Sequence, residues 1–442
     1  MKNKILLILF SAVLIVSCER DIDKFEATPG SANFSKYIAI GNSLMSGYAD
    51  GALYHSGQVN SLPNIIAGQL KLAGGGEFVQ PMMAGETGLQ YPGARPKLVL
   101  GYSTACNGVI SLAPVPDQGS LDPIAPVGYP VNNFGIPGAK SFHLLAPGYG
   151  MMNPYYTRFA SNPQTGKVIE DIIASKPTFY TMWLGDNDVL SYALAGGAMD
   201  SITSPQFFGF IMGNILGAIH QTNPGVKGVI SNIPDITSIP FFTTIPYNGL
   251  VLTKGQADSV NMAMALYQLP FVYHEGKNPF LVQDPNSPHP VFKVRQMQEG
   301  ELVLMTVPQD SLKCKGMGII SRETFLPYPI PGQYILTLAE INAIKIATTA
   351  YNTIIAQFAV SFNIGLVDMN QKLTQLKSGM VFDGAHLNTQ FVKGGVFSLD
   401  GIHLNPRGNA VAANFFIDAI NTKYGSTIPH VDITKYQGII FP

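Results

Sequence analysis

Short apolar runs that alternate with helical patterns constrain the fold of this chain more than any other feature. The runs have the length and composition of buried strands, and they span residues 37–40, 131–134, 177–184, 226–233 and 365–368. Apolar residues at helical spacing fill the intervals at 62–70, 167–175, 205–221 and 336–362, and a final helix ends near residue 422. Strands that alternate with helices pair in parallel through right-handed crossovers. The sequence therefore predicts an α/β fold with a five-stranded parallel sheet between two layers of helices.

The candidate site residues of this chain lie where the predicted strands end or just before the last helix. Ser43, Gly138 and Asn187 each follow a strand, and Asp400 and His403 lie on the loop that enters the last helix. Because the carboxyl ends of parallel strands meet at one edge of the sheet, we expect these residues to lie close together. A serine hydroxyl becomes a strong nucleophile when a base takes its proton and a third group orients that base. The sequence therefore predicts a nucleophilic serine at this edge.

Two other segments contain similar motifs. Asp383 and His386 form a second Asp-x-x-His pair, but the pair at 400–403 is favoured because residues 404–408 open an apolar-periodic helix. Ser103 follows a strand-like run at 98–102 and nearly forms a nucleophile elbow. It lacks the closing glycine of that motif, and no helical pattern follows it. Ser43 and His403 therefore remain the preferred pair.

The composition argues against a nucleic-acid-binding protein. Charged residues are only 12% of the chain and the formal net charge is −1, whereas nucleic-acid binding requires a basic surface. No Cys/His spacing is typical of a zinc site, so no metal or cofactor is expected. Cys106 and Cys314 are the two cysteines beyond residue 18, and whether they pair is left open.

The N-terminal segment has the pattern of an export signal. Lys2 and Lys4 precede an apolar stretch at 5–16 that is too short to span a bilayer comfortably, and small residues lead to Cys18. This pattern resembles a bacterial lipoprotein signal at 1–17, with an ordinary secretory signal as the alternative. We expect lipidation of Cys18, a tether at 18–34, and a protein anchored to the cell envelope, at the outer membrane.

Four blocks of the sequence resemble the SGNH (GDSL) hydrolase superfamily. They occur in the order of that superfamily, at Gly41–Leu44, Asn133–Gly138, Gly185–Asp188 and Asp400–His403. The resemblance implies a three-layer α/β/α sandwich around a flavodoxin-like sheet and covers residues 35–442, apart from two long insertions at about 80–130 and 238–334. The chain departs from the usual pattern at Asn42, where the superfamily commonly has aspartate.

The resemblance also implies a role for each site residue. Ser43 is expected to be the nucleophile, His403 the general base and then acid, and Asp400 the carboxylate that orients the histidine. The backbone N–H groups of Ser43 and Gly138 and the side-chain amide of Asn187 are expected to form the oxyanion hole.

The implied activity is a serine esterase or lipase that forms an acyl-enzyme intermediate. Lipid or other acyl esters at the cell envelope are the expected substrates, because the chain is rich in apolar residues and has a phenylalanine-rich helix at 205–221. A glycan O-acetyl esterase is an alternative. A non-catalytic binding lipoprotein at the cell surface is a second alternative, since a fold does not guarantee a function.

Overall fold

A parallel sheet forms the centre of the protein. In the computed structural model, which describes residues 25–128 and 130–442, its strands are β1 (Tyr37–Gly41), β2 (Asn133–Gly135), β3 (Phe179–Trp183), β4 (Lys227–Ser231) and β5 (Gly365–Val367). They pair in the order β5-β4-β3-β1-β2, and every pairing is parallel. The predicted five-stranded parallel sheet is therefore confirmed. The predicted signal at 1–17, Cys18 and the first part of the tether lie outside the described residues.

Helices cover both faces of this sheet. The main ones are α1 (Leu62–Lys71), α2 (Val168–Ala174), α3 (Asn187–Leu194), α4 (Pro205–Thr222), α5 (Leu338–Ser361), α6 (Met369–Ser378) and α7 (Pro406–Tyr424). Successive side chains of a strand point to opposite faces. Phe179 packs on Tyr424 of α7 with ring centroids 5.7 Å apart, whereas the hydroxyl of Tyr180 lies 3.0 Å from Nε2 of His220 in α4. The fold is therefore the expected three-layer α/β/α sandwich.

Capping residues in the sequence define where the two longest described helices begin. Thr337 accepts a hydrogen bond from the N–H of Glu340, whose carboxylate accepts one from the N–H of Thr337, so α5 begins with a capping box. Asn405 caps α7 by accepting the N–H of Gly408, and Pro406 occupies the first turn. The cap at Asn405 fixes the loop immediately before it, which carries His403. None of the described helices is both long and apolar enough to cross a membrane.

The first insertion forms a β-hairpin outside the central sheet. Its strands, Leu98–Thr104 and Ile110–Pro116, pair in antiparallel register. Cys106, in the turn of this hairpin, forms a disulfide with Cys314 of the second insertion. The pairing that the sequence left open is therefore present, and it links the two insertions covalently.

The second insertion contains two apolar clusters of its own, separate from the main core. The predicted strand-like runs at 291–294 and 301–307 are shorter in the structure than the sequence suggested. Three antiparallel strand pairs lie within the insertion: Leu250–Leu252 with Gly276–Asn278, Leu281–Gln283 with Val294–Gln296, and Ile319–Ile320 with Pro327–Tyr328. A further strand, Leu302–Val303, pairs with Ile335–Leu336. The helices of the insertion are Pro240–Thr243, Lys254–Leu266 and Gln309–Lys313.

Several short elements complete the chain. They are the helices Ser43–Ser46, His55–Val59, Tyr149–Met152 and Pro154–Thr157, the 3₁₀ turns Ser141–Leu145, Ile236–Ser238, Gly332–Tyr334 and Ile433–Lys435, and the hairpin strands Met380–Phe382 and Ala385–Leu387.

Candidate active site

The turn after β1 presents Ser43 at the carboxyl edge of the sheet. Gly41 ends the strand in a position where an added Cβ would lie 2.2 Å from the carbonyl oxygen of Trp183, so only glycine fits there. Asn42 then caps the one-turn helix Ser43–Ser46 by accepting the N–H of Leu44 at 3.0 Å. Ser43 is therefore the first residue of a helix, held by a strand on one side and a cap on the other.

The structure brings Ser43, His403 and Asp400 into one hydrogen-bonded chain. Nε2 of His403 lies 2.8 Å from Oγ of Ser43, and Nδ1 of His403 lies 2.8 Å from Oδ2 of Asp400. Ser43 is 7% exposed and His403 is 9% exposed. The base therefore reaches the hydroxyl on one side and the orienting carboxylate on the other.

Asp400 is held in its charged form. Its carboxylate accepts hydrogen bonds from His403 Nδ1, from the Ser398 hydroxyl, and from the N–H groups of Gly51, Ile402 and His403. Burial alone would raise its pKa, but the neighbouring His403 and these donors hold the pKa below the usual range. An ionised Asp400 fixes the Nδ1–H tautomer and leaves Nε2 free to accept the proton of Ser43.

Asp50 supports this carboxylate from the loop after the Ser43 helix, and the sequence analysis did not identify it. Its backbone N–H donates to Oγ of Ser398 at 3.0 Å, and its side chain accepts the N–H of Leu399 at 2.8 Å. Ser398 in turn donates to Asp400 at 2.9 Å. The partners of Asp50 are almost 350 positions away in the chain, so no local pattern indicates them.

Ser43, Gly138 and Asn187, which carry the three predicted oxyanion donors, line one cleft together with His403. Gly138 adopts φ +78°, a left-handed conformation that favours glycine. Within residues 25–128 and 130–442, no protein acceptor takes the backbone N–H of Ser43 or Gly138. The amide of Asn187 donates one hydrogen to the carbonyl of Ala139 at 2.9 Å, which leaves its second hydrogen for a ligand. These donors can accommodate a developing negative charge.

The side chain of Asp186 gives a reason for asparagine at position 42, where the superfamily pattern commonly has aspartate. Nδ2 of Asn42 donates to Oδ2 of Asp186 at 3.1 Å, and Nε1 of Trp183 donates to Oδ1 at 3.1 Å. Burial raises the pKa of Asp186 to about 6 despite these hydrogen bonds. An aspartate at position 42 would place two carboxylates in contact, whereas asparagine supplies a donor and still caps the helix.

Tyrosines form much of the open side of the cleft. Tyr48 lies beside the imidazole of His403 with ring centroids 4.8 Å apart, and Tyr155 packs edge-to-face on Tyr48 at 6.1 Å. Tyr91, from the first insertion, packs on Tyr155 at 5.8 Å. The cleft has a volume of about 460 Å³. The first insertion therefore contributes to the wall of the cleft beside Ser43.

The alternative residues Ser103, Asp383 and His386 lie on two hairpins outside the central sheet. Ser103 pairs with Ser111 inside the hairpin of the first insertion, where no nucleophile elbow forms. Asp383 and His386 lie on the small hairpin Met380–Phe382/Ala385–Leu387, and both are exposed. In the described part of the chain, no group of three or more His, Cys, Asp or Glu residues has an arrangement that could hold a metal ion.

Comparisons with known proteins find only distant similarity. No protein-family model and no curated protein matches the chain. Among solved structures, it is similar to a GDSL-like lipase from Parabacteroides merdae, at 10% identity and a TM-score of 0.35 over 88% of this chain and 97% of that one. It is also similar to an extracellular lipase from Streptomyces rimosus, at 10% identity and a TM-score of 0.35 over 87% of this chain and 98% of that one. The interpretation of the site therefore rests on its own geometry.

Proposed function

We infer that this chain, whose parallel sheet and four motif blocks are those of the SGNH hydrolases, is a serine hydrolase that cleaves carboxylic esters. The observation that supports this proposal is the hydrogen-bonded chain from Ser43 through His403 to Asp400. The imidazole nitrogens of His403 lie 2.8 Å from Oγ of Ser43 and 2.8 Å from Oδ2 of Asp400. A protein that only binds a ligand has no need for this arrangement beside unoccupied oxyanion donors.

The geometry supports a two-step reaction. Oγ of Ser43 attacks the ester carbonyl carbon while its proton passes to Nε2 of His403, and the carbonyl oxygen becomes an oxyanion. The N–H groups of Ser43 and Gly138 and the amide of Asn187 stabilise that charge. The bond to the alcohol then breaks, His403 returns the proton to the departing oxygen, and an acyl-enzyme forms. Water attacks the acyl-enzyme with His403 as base and releases the carboxylic acid.

Lipid or other acyl esters at the cell envelope are the proposed substrates. The lipoprotein-like N-terminal segment supports this location, because a lipidated Cys18 would hold the enzyme at a membrane surface. Labelling cells with a fatty-acid probe should modify the wild-type chain and leave Cys18→Ala unmodified and released from the membrane fraction. Equal labelling of the two would contradict the anchor.

A glycan O-acetyl esterase is the second candidate. The rings of Tyr48, Tyr91 and Tyr155 line the open cleft next to Ser43, and flat aromatic faces suit the apolar faces of sugars. Release of acetate from an acetylated polysaccharide, compared with release of fatty acid from a lipid ester, distinguishes the two candidates.

Covalent labelling tests the proposed activity directly. A fluorophosphonate probe should label the full-length chain in a detergent extract, because His403 activates Ser43 towards phosphorus as well as carbon. Labelling should disappear in Ser43→Ala and His403→Ala and persist in Ser103→Ala. Labelling of Ser43→Ala would contradict the proposed nucleophile, and a folded wild-type chain that resists the probe would favour the non-catalytic binding lipoprotein.

A further inference from the structure

A second cavity adjoins the triad on the side away from the tyrosines. It has a volume of about 100 Å³ and lies between α6, α7 and the loop that carries His403. Ser43, Asn187 and His403 line both this cavity and the tyrosine-lined cleft. The two spaces therefore meet at the reacting hydroxyl.

The wall of this cavity is mostly apolar. α6 contributes Leu373 and Leu376, and α7 contributes Ala412 and Phe415, all of them less than 10% exposed. Lys372 also lines the cavity, and its Nζ lies 4.7 Å from the ring centroid of Phe415. Apolar cavities in proteins accept small apolar ligands. This cavity is therefore suited to hydrocarbon and not to the hydroxyl groups of a sugar.

The size of the cavity limits what it can hold. An engineered protein cavity of about 150 Å³ binds benzene, which has six carbons. By proportion, about 100 Å³ accommodates roughly four carbons. This volume exceeds what an acetyl group needs and is too small for a long fatty acyl chain without movement of the wall.

We propose that this cavity is an acyl-binding pocket that selects esters of short, unbranched fatty acids of about four carbons, while the alcohol part of the substrate lies in the tyrosine-lined cleft. The proposal rests on the ester hydrolase function above and narrows its substrates from lipid and other acyl esters to short-chain acyl esters. The cleft carries hydroxyl and amide groups and opens to solvent, so it matches the polar side of an ester, whereas the cavity matches only an alkyl chain. Each methylene that the cavity takes up raises kcat/KM about fourfold, because its transfer from water is favourable in the transition state.

A series of p-nitrophenyl esters tests this inference, because the alcohol stays constant while the acyl chain grows. For the full-length wild-type chain, kcat/KM should rise about 15-fold from acetate to butyrate and fall from octanoate to palmitate. Ala412→Leu should fill the cavity and lower the butyrate-to-acetate ratio at least about tenfold. Leu376→Ala should enlarge the cavity and move the optimum to hexanoate or longer.

Leu216→Ala is the matched control. It removes the same side-chain volume as Leu376→Ala from a fully buried position in α4, outside the cavity, so its unfolding midpoint should fall while its chain-length profile keeps the wild-type shape. A flat wild-type profile that neither Leu376→Ala nor Ala412→Leu changes, in a protein that is labelled by fluorophosphonate and hydrolyses acetate, would overturn the pocket and leave the hydrolase function intact. A chain that neither reacts with the probe nor cleaves any ester would overturn both.

Discussion

Two buried carboxylates flank Ser43, and their pKa values shift in opposite directions. The Asp400 side chain is 11% exposed and Asp186 is 4% exposed, so both are removed from water. The pKa of Asp400 lies below its usual range, and burial raises that of Asp186 to about 6. Asp400 has five donors, one of them the imidazole of His403, which can carry a positive charge. Asp186 has the side-chain donors of Asn42 and Trp183. Burial alone therefore does not set the charge of a carboxylate here; the charged neighbour and the hydrogen-bond donors around it also determine it.

This difference separates two functions. In the proposed reaction, Asp400 must stay ionised to orient His403 and to stabilise the imidazolium that forms. In the described part of the chain, the Asp186 side chain is hydrogen-bonded to neither His403 nor Ser43; it accepts a hydrogen bond from the capping residue Asn42 instead. We therefore expect changes at Asp400 to alter catalysis and changes at Asp186 to alter stability and its pH dependence.

The largest expected effect belongs to Asp400→Asn. An amide can offer an N–H group to the imidazole and so favour the wrong tautomer of His403, which should lower kcat by about 10⁴-fold with little change in fold. Asp186→Asn should cause a far smaller loss. Steady-state kinetics with p-nitrophenyl butyrate, together with circular dichroism, checks both variants. Similar losses in the two would contradict the separation of functions.

The pH dependence of stability should identify Asp186. An aspartate in the unfolded chain has a pKa of about 3.9, so between pH 4 and pH 6 the folded protein binds more protons at this position than the unfolded chain. The free energy of unfolding should therefore fall as the pH rises through this window, by at most about 3 kcal/mol from Asp186 alone. Asp400 has the opposite effect on the free energy of unfolding, because its pKa is lowered in the folded protein. Its stabilising contribution is complete above about pH 4 and is lost at lower pH.

Guanidinium unfolding of the wild type and of Asp186→Asn at several pH values between 4 and 6 measures this slope by difference. Asp186→Asn also removes one hydrogen-bond acceptor, which lowers stability at every pH and does not affect the slope. The variant should lack the Asp186 part of the slope, and Asp400→Asn should retain it. Parallel curves for wild type and Asp186→Asn would show that Asp186 does not titrate in this window.

The framework of the fold could be predicted from the sequence because its signals are local. Apolar runs, glycine turns and caps occur within a few residues of one another, so the five strands and the major helices were identified. Helix α6 carries no comparable local signal, because the segment Met369–Ser378 is mostly polar and buries only Met369, Leu373 and Leu376. The apolar cavity depends on how α6 packs against α7, and no linear pattern encodes that packing.

Prediction of the candidate site from the sequence has the same limit, because local motifs can be recognised and contacts between distant residues cannot. Asp400 and His403 are three residues apart and could be found as a motif, whereas the role of Asp50 depends on Leu399 and Ser398, distant in the chain. The partner of Asn42 is likewise 144 positions away. The proposed reacting groups could therefore be predicted from the sequence, whereas the residues that set their charge and position could not.

Asn42→Asp gives Asp186 a charged neighbour. The new carboxylate can still cap the Ser43 helix, but it loses the hydrogen bond to Asp186 and repels it, so we expect a loss of about 1–3 kcal/mol in the free energy of unfolding at pH 7 and a smaller loss at pH 5. The double variant Asn42→Asp with Asp186→Asn exchanges the two groups and should recover most of that loss. A double variant less stable than either single variant would indicate that the pair does not interact as the structure shows.

Ser398→Ala has the smallest expected effect, because it removes one of the five donors to Asp400 and leaves the other four. The hydroxyl of Ser398 donates to Oδ1 of Asp400 at 2.9 Å and accepts the N–H of Asp50 at 3.0 Å. A hydrogen bond to a charged group contributes about 1.5–3 kcal/mol when it is lost alone, and the remaining donors should limit the fall in kcat to about tenfold. Ser398→Thr keeps the hydroxyl and should restore most of the lost kcat. If Ala and Thr reduced kcat equally, the effect would come from packing at this buried position, and the charge of Asp400 would depend on its other four donors alone.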